Sequence, residues 1–233
     1  MPRIARVKSR SMKVVTIAAS KGGTGKSTAT AVLAVKAAEE GLPVALLDLN
    51  ADQASLTQWW ESRGAPDNPE LFEIPDHLTS AIEGIAQDPK GFGWLFIDTP
   101  PQDIDLIENA VAKSDAVIIP VRVSAFDIGA ITPIVEMCRK HHRPFAFLVS
   151  ALDSRAQFKK LNEEAQKALA AGGTILTTWV QYHIAHIDAL TIGKVGHEIN
   201  PSLQPEAEAL WGEVKGLASS TAPLVYRRRI PNV

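Results

Sequence analysis

The sequence predicts a doubly wound α/β domain, with a mostly parallel sheet and helices on both faces. Three observations predict it. Short apolar runs alternate with helix-like stretches along the chain, and strand–helix alternation builds parallel sheets through crossover helices. The apolar runs are nearly continuous rather than alternating with polar residues, the pattern of strands covered on both faces. A glycine-rich turn joins the first run to the first helix-like stretch.

KVVTIAA (13–19) is the first strand. GKSTATAVLAVKAAEEG (25–41) reads as a helix, because alanine and leucine favour one and Gly41 is placed to end it. PVALLD (43–48) is the second strand and DQASLTQWWESRG (52–64) a helix. LFEI (71–74) carries a short strand pattern and 77–88 a helical one. WLFID (94–98) is a buried strand, followed by helix 103–113, strand AVIIPV (116–121), helix 125–141, strand PFAFLVS (144–150) and helix 154–171. TILTTWV (174–180) is the last strand, and helices near 183–192 and 202–218 complete the pattern. No composition shift marks a boundary, so 1–233 reads as a single domain with a basic N-terminal tail, 1–11, and a C-terminal tail, 219–233.

With 45% hydrophobic and 21% charged residues, the 233-residue chain suits a soluble globular protein. Its net charge of −2 gives no overall pull toward nucleic acid. Basic residues do cluster at Arg3, Arg6, Lys8, Arg10 and Lys13, and again at Arg227, Arg228 and Arg229; such runs serve equally as solvated tails or as binding segments. One cysteine, Cys138, excludes a disulfide framework or a thiolate metal cage within the chain and suggests a reduced, cytoplasmic compartment. No apolar run approaches the ~18 residues of a membrane span. The basic start lacks the apolar core of a signal peptide.

The chemistry concentrates in AASKGGTGKSTAT, residues 18–30. Gly25, Lys26 and Ser27 fit the end of the phosphate-loop pattern G-x-x-x-x-G-K-[ST], and the loop lies between a strand and a helix, as that motif requires. The opening glycine of the pattern is Ser20, and a second lysine, Lys21, follows it. Glycines at 22, 23 and 25 allow φ > 0, which lets backbone N–H groups crowd around phosphate oxygens. The helix that starts near Gly25 points its positive end at the same anion. Lys26 supplies a point charge for the β- and γ-phosphates, the Ser27 hydroxyl can ligate Mg²⁺, and Thr28 is placed to donate to the α-phosphate. Asp98 ends a buried strand beside this loop, where open α/β sheets bind ligands, and its carboxylate can hold Mg²⁺ through water.

KGGTGKST (21–28) resembles the deviant Walker A motif, K-G-G-x-G-K-[ST], of the ParA/MinD superfamily of P-loop ATPases. The resemblance runs over roughly residues 12–218 and is strongest to ParA-type partition ATPases. It implies ATP and Mg²⁺ as cofactors, phosphate contacts from Lys21, Gly22, Gly23, Thr24, Gly25, Lys26, Ser27 and Thr28, and a homodimer that sandwiches two nucleotides. In such a dimer Lys21 reaches the phosphates of the partner's site, stabilising the transferring phosphoryl group as an arginine finger does. DLNADQAS (48–55) resembles the family's D-x-D-P-Q motif, with Asp48 as its first aspartate. Asn50 stands at the second aspartate, the proline is missing and one extra residue precedes Gln53. Asn50 can orient water but cannot take its proton; either hydrolysis is slow or Asp52 supplies the carboxylate, unless Asp52 merely caps the helix that follows. WLFIDTPP (94–101) resembles the Walker B segment, which makes Ser27, Asp48 and Asp98 the metal-site residues and Lys21, Lys26, Asp48 and Asp52 the catalytic ones.

Three later segments extend the likeness. SDAVIIPVRVSAFDIGAI (114–131) places Asp115, Pro120 and Asp127 in register, as interface or structural residues. FLVSALDSR (147–155) carries Ser150 where many members place an adenine-reading asparagine. YHIAHIDALTIGKVGHE (182–198) places Gly193 and Glu198 in the late turn. His183, His186 and His197 lie near one another there, but no cysteine or clear carboxylate joins them, so packing outweighs a metal role.

The resemblance implies slow ATP hydrolysis stimulated by a centromere-binding or cargo adaptor protein. It also implies an ATP-dependent dimer holding nonspecific DNA, associated with the nucleoid in that form. Candidate phosphate contacts are Arg139, Lys140, Arg143, Lys159, Lys160 and Arg227–Arg229, which would make affinity fall steeply with salt. The alternative is a MinD-like positioning ATPase on a membrane, but SSTAPLVYRRRIPNV (219–233) makes a poor membrane helix. An iron–sulfur relative would need more than one cysteine per chain. In the Trp59–Trp60 pair, one ring is expected to pack inward.

Overall fold

A parallel sheet carries every feature of the site. The computed structural model describes residues 12–73, 77–122, 131–152, 172–178, 180–181 and 184–220. Its strands are β1 (Lys13–Ile17), β2 (Val44–Asp48), β3 (Glu70–Phe72), β4 (Trp94–Asp98), β5 (Ala116–Arg122), β6 (Phe145–Leu152), β7 (Thr174–Ile175) and β8 (Val180–Gln181). Their order is β3-β2-β4-β1-β5-β6-β7, with β8 also beside β6, and each of these pairings is parallel. The described helices are α1 (Lys26–Glu39), α2 (Ser55–Ser62), α3 (Leu78–Gln87), α4 (Ile104–Lys113), α5 (Thr132–Lys140), α6 (Ile184–Thr191), α7 (Gly196–Ile199) and α8 (Gln204–Ser219).

The continuous apolar strands have a simple physical basis. Successive side chains point to opposite faces, and here both faces are core. Val15, Ile17, Leu46, Phe96 and Ile118 pack with α1, α2 and α8. Their neighbours Val14, Ala45, Leu47, Leu95 and Ile97 pack beside Leu78 and Ile85 of α3 and Ala110 of α4, and Val117 and Ile119 beside Ile107, Ile134 and Val135. Trp211 of α8 sets its ring edge-on to Trp94, 4.8 Å between centroids, anchoring that helix over the centre of the sheet.

The expected strand over 174–180 is instead two short pieces. Leu176 N–H still donates to the Phe147 carbonyl, at 2.9 Å. The next two amides turn away: Thr177 N–H and Thr178 N–H donate to the Glu213 carboxylate of α8, at 2.7 and 2.8 Å. A charged acceptor takes the donors that a ladder would use. The expected helix from 202 starts as a 3₁₀ turn, Pro201–Leu203, before α8. The expected helix 154–171 lies outside the described residues, as do residues 1–11 and 221–233 of the two tails, the first six residues of the expected helix 125–141, Asp127, Lys159, Lys160, His183 and Arg227–Arg229.

Candidate phosphate-binding site

β1 lies between β4 and β5, and the chain leaves its carboxyl end straight into the glycine-rich loop. The register levels three strand ends: Ile17 with Asp98, and Asp98 with Asp48. Both carboxylates therefore stand beside the loop that leads to α1. Gly23 (φ 69°) and Gly25 (φ 90°) take left-handed conformations that side chains resist. Gly22 does not, so at that position the expectation of positive φ is not met. Gly25 sits at the N-cap of α1, and no side chain among the described residues caps that end. Its first N–H groups face the loop, as an anion requires.

Lys26 is buried (7% exposed), and its ammonium donates to the Lys21 carbonyl at 3.5 Å. Burial lowers its pKa, opposed by the nearby Asp98 and Asp48 carboxylates. Ser27 Oγ donates to Asp98 Oδ2 at 2.5 Å. Asp98 Oδ1 is buried without a hydrogen-bond partner among the described residues. A hydroxyl and a carboxylate oxygen side by side, one oxygen still unsatisfied, fit a hard oxygen-seeking cation such as Mg²⁺. Ser27 and Asp98 would hold it, and when bound it would neutralise charge on phosphate oxygens.

Burial pushes the Asp98 carboxyl up to about 7 from an ordinary 3.8; the Ser27 hydrogen bond opposes this, the Asp48 charge adds to it, and Lys26 opposes it. Between those values the folded protein keeps a proton that the unfolded chain has released. Stability of the metal-free protein therefore falls as pH rises from about 4 to about 7, then levels off. Asp98→Asn is expected to flatten that slope, read as urea midpoints across the window. An Asn variant with the parent's slope would refute the assignment.

The profile of the CobQ/CobB/MinD/ParA nucleotide binding domain matches residues 15–193. The chain belongs to this family. It is 34% identical over 122 residues to Protein ParA of Rhizobium radiobacter, covering 51% of this chain and 54% of that protein. It is 24% identical over 211 residues to the maintenance of carboxysome distribution protein A of Gloeobacter kilaueensis, 85% of this chain and 94% of that one. The ParA match thus spans about half the length of that relative. Among solved structures, the Cyanothece McdA(D38A)–ATP complex shares the fold at a TM-score of 0.68 and 18% identity, covering 91% of this chain and 99% of that one.

Other positions of this ParA/MinD-family domain are placed less simply. Asp48 Oδ1 accepts from Asn50 N–H at 3.0 Å, and Oδ2 from Thr57 N–H and Oγ1 at 3.0 and 3.1 Å. Asp48 thereby caps α2 at one of its open first-turn amides. Asp52 is exposed and does not cap the helix: Ala54, at φ 43°, is its N-cap. Ala54 N–H closes a turn onto the Asn50 carbonyl at 2.7 Å, which is how the extra residue before Gln53 is accommodated. Asn50 is buried, its amide donating to Gln53 Oε1 at 3.3 Å.

Ser150 braces the loop, its hydroxyl donating to the Thr24 carbonyl at 2.7 Å. Sequence reasoning weighed Ser150 only for the base and passed over Arg122, whose guanidinium lies over Gly23; a cation ending a buried strand was the available signal. Asp115 is structural, its carboxylate accepting from Val14 N–H at 2.8 Å and from Lys13 at 3.2 Å. Trp59 is the inward ring of its pair, donating to the Lys194 carbonyl at 3.0 Å. His197 faces Glu39 at 3.2 Å and His186 faces Glu206 at 3.4 Å, with no metal-holding cluster among the described residues. Lys140 pairs with Glu108 at 2.6 Å, while Arg139 and Arg143 donate to the Gly172 and Ala112 carbonyls. No helix among the described residues is long and apolar enough to cross a membrane.

Proposed function

We propose that the protein is a ParA-type ATPase that hydrolyses ATP to ADP and phosphate with Mg²⁺, and uses an ATP-dependent homodimer on nonspecific DNA to partition or position a cargo. One observation carries this reading: the loop KGGTGKST opens onto an uncapped helix start, with Ser27 and the unsatisfied Asp98 carboxylate beside it. The likeness to the ParA and carboxysome-distribution proteins supports partition or positioning as the task. The residues divide the work. Gly22, Gly23, Thr24 and Gly25 present backbone donors, Lys26 and Thr28 hold phosphates, and Ser27 and Asp98 hold the metal. Asp48 adds negative charge next to that metal and fixes the start of α2 through Thr57. Asn50 orients the attacking water, and with no buried second carboxylate in the 50–54 turn the basal rate is low. A cargo adaptor protein accelerates it. DNA phosphates are met by exposed cations such as Lys140, whose side chain is 67% exposed and whose ion pair is readily exchanged.

Lys21 acts across the dimer. Lys21→Ala is expected to slow ATP turnover roughly tenfold, about 1.4 kcal/mol in the barrier, with DNA and adaptor present. Steady-state phosphate release measures it, together with ATP-dependent retention on nonspecific duplex at low salt. Equal turnover by variant and parent contradicts the cross-subunit role. Retention on lipid vesicles but not DNA would replace the partition reading with a membrane one.

A further inference from the structure

Gly25 takes φ 90° at the start of α1. Rotating the peptide between Thr24 and Gly25 by half a turn would carry that angle to about −90°, which glycine accepts as readily. Thr24 and Lys26 on either side are buried, so the peptide can turn while its neighbours stay in place. In one orientation the Gly25 N–H joins the open donors at the helix start. In the other the Thr24 carbonyl takes its place and turns partial negative charge toward the anion. The glycine that permits a phosphate cradle therefore does not by itself choose which way the cradle faces. The choice is made two strands away. Ser150 is buried near the carboxyl end of β6, level with Arg122 of β5 on one side and Val180 of β8 on the other. Its hydroxyl donates to the Thr24 carbonyl at 2.7 Å. The C=O and N–H of a trans peptide point in opposite directions. The order β4-β1-β5-β6 puts Ser150 and Asp98 on opposite sides of β1. A Thr24 carbonyl held toward β6 thus turns the Gly25 N–H back toward Ser27 and Asp98.

We infer, resting on the nucleotide-binding reading above, that Ser150 is a positioning residue for phosphate binding: it fixes the 24–25 peptide so that the Gly25 N–H, and not the Thr24 carbonyl, meets the anion. Ser150 touches no phosphate and acts only through this peptide. Its hydroxyl proton is committed to the loop, so its effect falls on the phosphates and is blind to the base. Without the hydroxyl the two peptide orientations compete, and apparent affinity falls by the fraction that still faces inward.

Calorimetric titration of the full chain with ATP and with tripolyphosphate, each with Mg²⁺, tests this, because tripolyphosphate offers the phosphates without a base. Ser150→Ala is expected to bind both roughly tenfold more weakly, the strength of one buried hydrogen bond. Ser150→Thr keeps the hydroxyl on a residue that suits a strand, and should bind both within about threefold of the parent. Circular dichroism of each variant verifies the fold. A loss for ATP alone would give Ser150 to the base and overturn the inference. No loss for either ligand overturns it too, as does a loss that threonine fails to recover, which would assign the effect to packing at the end of β6. In each of those cases the parent still binds ATP and the functional proposal stands. A parent protein that binds neither ligand overturns both.

Discussion

Lys26→Ala is expected to weaken ATP binding roughly a hundredfold, about 3 kcal/mol. Three circumstances set the size. The ammonium is buried at the tip of α1, where water screens it little. It sits near Asp98 and Asp48, whose charges hold it protonated against the cost of burial. And it reaches a backbone carbonyl of its own loop, Lys21 O, which fixes its direction in the absence of phosphate. Alanine removes the charge and leaves two neighbouring carboxylates without it. Asp98, already raised to about 7, would then hold its proton to higher pH. Mg²⁺ must displace that proton, so the variant should also need more alkaline conditions for metal-dependent binding. Lys26→Arg should not rescue, because the planar fork is too large for a slot built around a single ammonium. Calorimetry with ATP and Mg²⁺ at pH 7 and 8 measures both effects. ATP affinity within threefold of the parent would remove Lys26 from the site.

The parts of this arrangement that could be read from sequence are those set by local rules. WLFID is legible because a strand buried on both faces must be apolar at every position, and its carboxylate marks the end that faces ligand. The loop is legible because a phosphate cradle needs glycine, lysine and a hydroxyl in fixed succession. What escaped depends on residues far away in the chain. TILTTWV has a strand's composition, but Glu213, more than thirty residues on, takes two of its amides. Ser150 gives no sign in sequence that its partner is the Thr24 carbonyl, 126 residues earlier. In DLNADQAS the spacing could not say which aspartate caps α2. Asp48 does so because Thr57 returns to it at the site, whereas Asp52 is carried outward by the turn that Ala54 closes. Charge counting likewise could not show that Arg139 and Arg143 are tied to backbone carbonyls.

Gly193→Ala is expected to destabilise the protein by about 3–5 kcal/mol, through overlap and strain together. Gly193 has φ 69°, where alanine is disfavoured. A methyl there would also collide with the backbone of Ser62 and Arg63 at the end of α2. Backbone cannot step aside as a side chain can, and this meeting point is fastened on every side. Arg63 donates to the Gly193 carbonyl at 2.9 Å and makes a two-pronged pair with Glu198, both contacts 2.8 Å. Glu198 accepts in turn from Val195 N–H at 2.8 Å, and Trp59 holds the Lys194 carbonyl. The other end of α2 is held by Asp48, so the helix runs from this lock to the phosphate site. Urea denaturation measures the loss. Saturating ATP should return part of the stability, by the logarithm of ligand concentration over Kd, if the site survives in the folded fraction. A Gly193→Ala protein as stable as the parent would mean that the turn and the end of α2 do not meet.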